Sequence, residues 1–473
     1  MASTEIVNVL DSISPETLRD VLLFDNPDTL SVTTELQNIN ELAKKLRDID
    51  DFDLQTQFDN VVRTIKSLSD VVIKYITRSA TKVNKEGKVV VLDDHLQPIF
   101  NVLNAFVIRL RRRELQNDKD LVRWLPFVVT ACYFIDKREF SSVDLIQSLK
   151  IAEETLDEAV KLTKAEDRTC LIAKYASQIV ALCSQDVKKE EWVAEASINK
   201  KIMLQLVEEI PFPYLGGDLL GRLLALTFPL VDDLIDSTQL IGARMLRHIV
   251  HNVTLTELRW YSDVLLEVLH TALVSRKPQT LDVLLDCLVE SLDKVSAAGN
   301  VQHYDRFIPR LLRDTSLCTD VSIRVVFVRH LQVLIVRQGA PHSLNAIRYL
   351  QPLLKVLIAG FESVNVTFLV TTLEALQATV LATWPRIASH TEQILVGVLR
   401  AVAFCEIFDD CAEFTPSNDE KAQILALCED VVDLLHKVNA GNLAVSNMLI
   451  KVGNQVPKLS PFCNRMQKKW KSG

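Results

Sequence analysis

Apolar residues recur at helical spacing along almost the whole chain, and scarcely anywhere do they alternate as a half-buried strand would require. The pattern is clearest over residues 240–253, LIGARMLRHIVHNV. Projected at about 100° per residue, Gly242, Leu246, Ile249, Val250 and Val253 share one side, while Arg244, Arg247, His248, His251 and Asn252 share the other. That is an amphipathic helix. Thr254 and Glu257 follow at capping-box spacing, so a second helix is predicted over 255–274 and the two form a hairpin.

Similar hairpins recur on either side. Helices are predicted over 218–233, 238–252, 255–274, 278–296, 303–314, 320–338, 342–361, 366–383, 388–408, 418–438 and 442–454, with turns at 276–278, 298–300, 339–341 and 362–365. Leu281, Val321 and Val366 begin equivalent apolar runs, a spacing of roughly forty residues. A hairpin cannot bury its apolar stripe alone, so the repeat predicts an all-α fold, a HEAT/armadillo-like α-solenoid of stacked antiparallel helix pairs. Upstream, helices are predicted over 33–47, 54–77, 93–115, 120–136, 141–163, 167–184 and 192–208, less regularly spaced, with another started by Ser14 and Pro15. Pro211, Pro213, Gly216 and Gly217 are the clearest punctuation. They suggest a division into an N-terminal irregular helical region, 1–210, and C-terminal HEAT-like helical repeats, 211–473.

Composition narrows the functional classes. The 473 residues are 48% hydrophobic with 12 Gly and 15 Pro, which supplies a continuous core and few sheet turns. A formal charge of −8 provides no basic field for DNA or RNA, so nucleic acid is not expected as a partner. Nine cysteines, none in C-x-x-C spacing, sit mostly in apolar helical runs and read as reduced, buried thiols of a cytoplasmic or nuclear protein. The first residues lack the basic and apolar regions of a signal peptide, and no uncharged apolar run reaches ~18 residues, so neither secretion nor a membrane span is expected.

Several short motifs invite chemistry and lose to plainer readings. The basic run 109–114 has the composition of an import or acidic-partner patch, but charges closing a helix also complement its dipole. The aspartates of 48–53 lack the sixth-position glycine and twelfth-position glutamate of a calcium loop. Gly216, Gly217 and Gly221 do not form a phosphate loop. Asp232, Asp233 and Asp236 match the D-D-x-x-D spacing with which all-helical prenyl-diphosphate enzymes hold magnesium, with Glu429, Asp430 and Asp433 as a second cluster. Neither cluster adjoins the arginines and lysines a diphosphate needs, so an enzyme is the remote alternative. His248 and His251 lie three apart on one helix but have no nearby carboxylate or cysteine in sequence to complete a metal site. No catalytic residue, cofactor or metal is expected. The acidic segment 408–420 is the longest unpatterned loop and a candidate contact element.

The string Gly242-Ala-Arg-Met-Leu246-Arg-His248-Ile249-Val250-His-Asn252-Val253, followed by Tyr261, resembles the signature region of the Tel-two-interacting protein two family. Leu373, Glu374 and Leu376, then Thr383-Trp384-Pro385-Arg386, resemble that family's Thr-Trp-Pro-Arg element, and the likeness covers about residues 230–400. The resemblance implies a non-enzymatic scaffold subunit of the TTT co-chaperone. Its partners would be Tel-two and Tel-two-interacting protein one, working with the Hsp-ninety chaperone and its adaptor to stabilise phosphatidylinositol-kinase-related kinases of the TOR, ATM and ATR class. A generic HEAT-repeat adaptor in transport or assembly is the alternative that shares architecture only.

Candidate partner-binding residues are Arg244, Arg247 and His251 on the outward stripe of the signature helix, His248 and Asn252 at its margins, and Trp384 with Arg386. The arginines suit partner carboxylates. The plainer reading of His248 and Asn252 is that they tie one repeat to the next or satisfy turn amides. Trp384 is expected in the core, where Pro385 bends or ends the helix, with a partner anchor as the rival role. Gly242 is expected to let a neighbouring helix approach closely.

Overall fold

In the computed structural model, which describes residues 29–48, 58–81, 93–112, 118–135, 145–185, 187–296, 301–407, 416–439 and 443–472, every regular element is a helix. The start at Ser14 and Pro15, most of the acidic joint at 48–53, the break at 298–300, Cys411 and most of the acidic loop 408–420 lie outside the described residues. The chain divides into two compact units, Met1–Glu257 and Leu258–Gly473.

The longer helices of the first unit are α1 (Thr29–Asp48), α2 (Phe58–Thr81), α3 (Asp93–Arg112), α4 (Leu125–Phe134), α5 (Ile146–Thr163), α6 (Arg168–Ser184), α7 (Ile198–Glu208), α8 (Asp218–Val231) and α9 (Asp236–His251). In the second unit they are α10 (Ser262–Ala272), α11 (Pro278–Val295), α12 (Gln302–Leu317), α13 (Val321–Arg337), α14 (Leu350–Gly360), α15 (Val366–Ala382), α16 (Thr391–Ile407), α17 (Asn418–Val438), α18 (Ala444–Gln455) and α19 (Ser460–Ser472). Within each unit most helices pack on the helix two along in the chain, and many also on an immediate neighbour. In the second unit this makes one row of α11, α13, α15 and α17 and a second row of α12, α14 and α16. The first unit has rows α1, α3, α5 and α2, α4, α6. Both units are therefore α-solenoids of stacked antiparallel pairs, as the forty-residue period predicts.

The repeat also appears in the polar contacts. Arginines reach back one hairpin to a carboxylate: Arg306 to Glu267, Arg348 to Asp305, Arg400 to Glu362 and Arg465 to Glu429, at sequence separations of 39, 43, 38 and 36. Inside the rows, buried threonines solve the problem of a hydroxyl in an apolar core locally. Thr227, Thr315, Thr372, Thr379 and Thr383 each donate to the carbonyl four residues earlier, so these five hydroxyls need no polar partner from a neighbouring helix. The eight described cysteines are free thiols, six of them buried.

The structure corrects several boundaries. The predicted helix 255–274 is broken into Leu255–Arg259 and α10, because Tyr261 leaves helical geometry (φ −109°, ψ 7°) and turns Trp260 out to solvent, where it is 85% exposed. The helix predicted over 192–208 is likewise two pieces, Lys189–Val193 and α7. Lys200 joins them: its buried ammonium donates to the carbonyls of Val193 and Ala194 and to Thr238 Oγ1, and burial lowers its pKa to about 8. Helix α19 is absent from the sequence prediction although Phe462, Cys463 and Met466 are buried at helical spacing; its lysines masked the stripe.

The break expected at 210/211 falls inside the first unit. There Pro211–Gly217 is a turn held against α9 by His248 and Asn252.

Candidate partner-binding face

Helix α9 buries Gly242, Ala243, Met245, Leu246, Ile249 and Val250, and leaves Arg244, Arg247 and His251 exposed with His248 and Asn252 half-buried. The inner face packs unusually close to α8. A Cβ added at Gly242 would stand 2.6 Å from the Val231 nitrogen and 2.7 Å from the Leu230 carbonyl carbon, so the absence of a side chain sets the helix spacing, as expected for this glycine.

The outer face is partly committed within the chain. Arg244 makes a bidentate ion pair with Glu208 of α7, with nitrogen–oxygen distances of 2.7–3.0 Å. His248 Nε2 donates to the Ile210 carbonyl at 2.9 Å, which places the proton on that nitrogen and removes it as a metal ligand. Asn252 Oδ1 accepts from the Phe212 amide at 3.0 Å, and its Nδ2 donates to the His248 carbonyl. His248 and Asn252 therefore tie the preceding turn to the hairpin and satisfy its backbone.

The capping box forms as its spacing requires. Thr254 Oγ1 accepts from the Glu257 amide, and a Glu257 carboxylate oxygen accepts from the Thr254 amide and hydroxyl. Its other oxygen takes the Gly217 amide at 2.7 Å. The Thr254 hydroxyl and then the Gly217 amide hold this carboxyl below the ordinary glutamate range. Gly217 itself has φ +62°, the left-handed conformation that favours glycine.

This stitching has a consequence that the sequence did not show. The anchored turn presents Phe212 and Tyr214, 56% and 52% exposed, beside the charged edge of α9. Aromatics and arginines on rigid backbone are the composition of interface hot spots. The Pro-Phe-Pro-Tyr string held the signal, but its prolines read as punctuation.

In the second unit, Trp384 and Arg386 lie on the short helix Trp384–Ile387, started by Pro385. Trp384 is not in the core: it is 57% exposed, because Thr383 and Ile387 take the inward positions of that turn. Members of both acidic clusters are engaged within the chain. Asp233 Oδ1 accepts the Ile235 amide in the α8–α9 turn, Glu429 pairs with Arg465, and Asp433 pairs with Lys437 and accepts from the Trp470 indole. Among the described residues, the compact cluster of potential metal ligands is Asp282, Asp286 and His330, which includes neither aspartate set, and His330 and Arg329 both hydrogen-bond to Asp282.

The chain is similar in sequence to TELO2-interacting protein 2. Against that Homo sapiens protein it is 24% identical over 289 residues, covering 58% of this chain and 54% of the relative. It thus spans about half the length of the curated relative it matches, and the resemblance read from the signature residues is upheld. No family model matches the chain. Similar solved structures include karyopherin Kap121p bound to Nup53p, at 11% identity and a TM-score of 0.47, and Kap121p bound to the SUMO protease Ulp1p, at 11% and 0.45. Each alignment covers 98% of this chain and 42% of Kap121p.

Proposed function

We propose that this chain is a non-enzymatic scaffold subunit of a TTT-type co-chaperone, in which it binds Tel-two and Tel-two-interacting protein one homologues. With Hsp-ninety and its adaptor, the assembly would stabilise phosphatidylinositol-kinase-related kinases of the TOR, ATM and ATR class, in the cytoplasm with a nuclear pool. The likeness to TELO2-interacting protein 2 carries this reading. Its physical support is the architecture, since the stacked hairpins of each unit bury one edge of each helix and leave the other able to meet a partner. The first contact surface we assign is the α9 edge with its anchored turn, where Arg247, Phe212 and Tyr214 lie open to solvent. Trp384 and Arg386 form the second.

Affinity purification of the tagged full chain from its own cells, followed by mass spectrometry, tests membership. Recovery of Tel-two and Tel-two-interacting protein one homologues in near-equal amounts is the expected result. Recovery of transport or assembly factors without them would refute the co-chaperone role and favour a generic adaptor. Depletion of the chain should then lower the steady-state level of the kinases without altering their transcripts.

A further inference from the structure

Along the second unit, arginines are matched to carboxylates one hairpin away, among them Arg306 with Glu267, Arg348 with Asp305 and Arg400 with Glu362. A groove of about 470 Å³ between α12 and α14 departs from that rule. Three cationic side chains line it, Arg313, Arg324 and Lys355, and no carboxylate does. Among the described residues Arg324 and Lys355 make no ion pair. Arg313 reaches only its neighbour Asp314, at 3.6 Å, and that carboxylate is shared with Arg310. The Arg324 guanidinium lies 4.4 Å from the centre of the Phe368 ring, and its Nε is buried without a hydrogen-bond partner among the described residues. A cation held on an aromatic face, its guanidinium making no hydrogen bond to the described residues, is open to an acceptor from outside at its terminal nitrogens.

The groove's walls have a matching geometry. Exposed Pro309, Arg313 and Ser316 follow one another at helical spacing on α12, and Pro352, Lys355 and Ala359 do the same on α14. The proline, serine and alanine side chains are short, so the buried Leu312 and Val356 remain reachable as an apolar floor. We propose that this groove binds an amphipathic segment of a partner protein, with apolar side chains at helical spacing flanked by aspartate or glutamate. The apolar floor requires apolar side chains to displace its water, and the rim's unmatched cations select carboxylates at the flanks. In a chain of formal charge −8 such a rim is a local exception, so an acidic segment is steered to this groove rather than to the surface at large.

The proposal stands apart from the co-chaperone reading, because its test reads groove chemistry and not complex membership. A displayed library of random 16-residue peptides is selected on the full chain, with counter-selection on Ala359→Trp, which fills the groove from an exposed position. The expected winners carry acidic residues around apolar positions at i, i+4 and i+7. A synthetic winner, followed by fluorescence anisotropy, should bind the Arg324→Glu/Lys355→Glu variant at least tenfold more weakly and weaken with added salt. Arg400→Glu should bind as wild type does, and circular dichroism confirms that each variant is folded. The proposal is overturned if no groove-dependent peptide emerges, if winners lack carboxylates, or if the charge reversal leaves binding unchanged. It is also overturned if the isolated chain sediments as a dimer that Ala359→Trp makes monomeric, since the occupant would then be a second copy.

Discussion

Replacing Gly242 by alanine separates two forces that act in opposite directions. Helix propensity favours alanine by about 1 kcal/mol at an interior helical position. Packing opposes it, because the new Cβ would lie 2.6 Å from the Val231 nitrogen, where ordinary contact begins near 3.4 Å. Helix α9 would have to retreat from α8 by roughly 0.8 Å, the difference of those two distances. The obstructing atoms are mainly backbone and cannot rotate away, so the strain belongs near the upper end of the ~1–3 kcal/mol typical of overpacking. Net destabilisation of about 1–2 kcal/mol is expected for Gly242→Ala, and more for Gly242→Val, whose branched side chain adds two methyl groups at the same point. At about 2–4 °C per kcal/mol for a cooperative unit of this size, Gly242→Ala should lower the first unit's melting temperature by about 2–8 °C in far-UV circular dichroism. A melting temperature equal to or above wild type would show that propensity prevails and that α8 and α9 are not held at glycine distance.

Three other perturbations have defined outcomes. Glu257→Gln keeps the shape of the capping box but loses the charge; since the folded pKa is depressed, the carboxylate's contribution is complete above the ordinary value of 4.5 and fades as pH falls through the lower folded value. The stability gap between wild type and Glu257→Gln in denaturant titrations should therefore close on acidification below about pH 4.5, and a gap that widens would refute the assignment. Arg244→Glu sets two carboxylates against each other; adding Glu208→Arg should recover most of a loss of no more than about 1 kcal/mol, the range for exposed pairs, and a double-mutant cycle with no coupling would dissolve the pair. Trp384→Ala should alter stability by less than about 0.5 kcal/mol yet weaken co-purification of the partner subunits; a large stability loss with intact capture would return Trp384 to a core role.

The candidate face was legible where its chemistry is local. The projection of α9, the Thr254–Glu257 box and the close approach at Gly242 follow from spacing within one helix or one turn, and the structure has each of them. Partners dozens of residues away were not legible. Nothing in the sequence says that Arg244 is met by Glu208, that His248 holds Ile210, or that Gly217 turns its amide to Glu257, because these depend on which hairpin stacks on which. Trp384 shows the same limit from the other side: an aromatic before proline reads as core until the helix phase shows Thr383 and Ile387 occupying the inward positions.

Taken alone, the sequence determines that this chain is a series of amphipathic helices repeating near forty residues, since a stripe of apolar side chains is a property of each helix and survives without its neighbours. Tertiary structure decides which charges are already neutralised and which remain for others. Arg244 and Arg400 find carboxylates one hairpin away, while Arg324 and Lys355, on the same kind of helix and indistinguishable by pattern, line an apolar groove that contains none. The cause is stacking: how successive hairpins sit on one another sets which side chains come within hydrogen-bonding distance, and that depends on contacts between helices, such as Gly397 of α16 on Phe361 at the end of α14, not on the composition of any single helix.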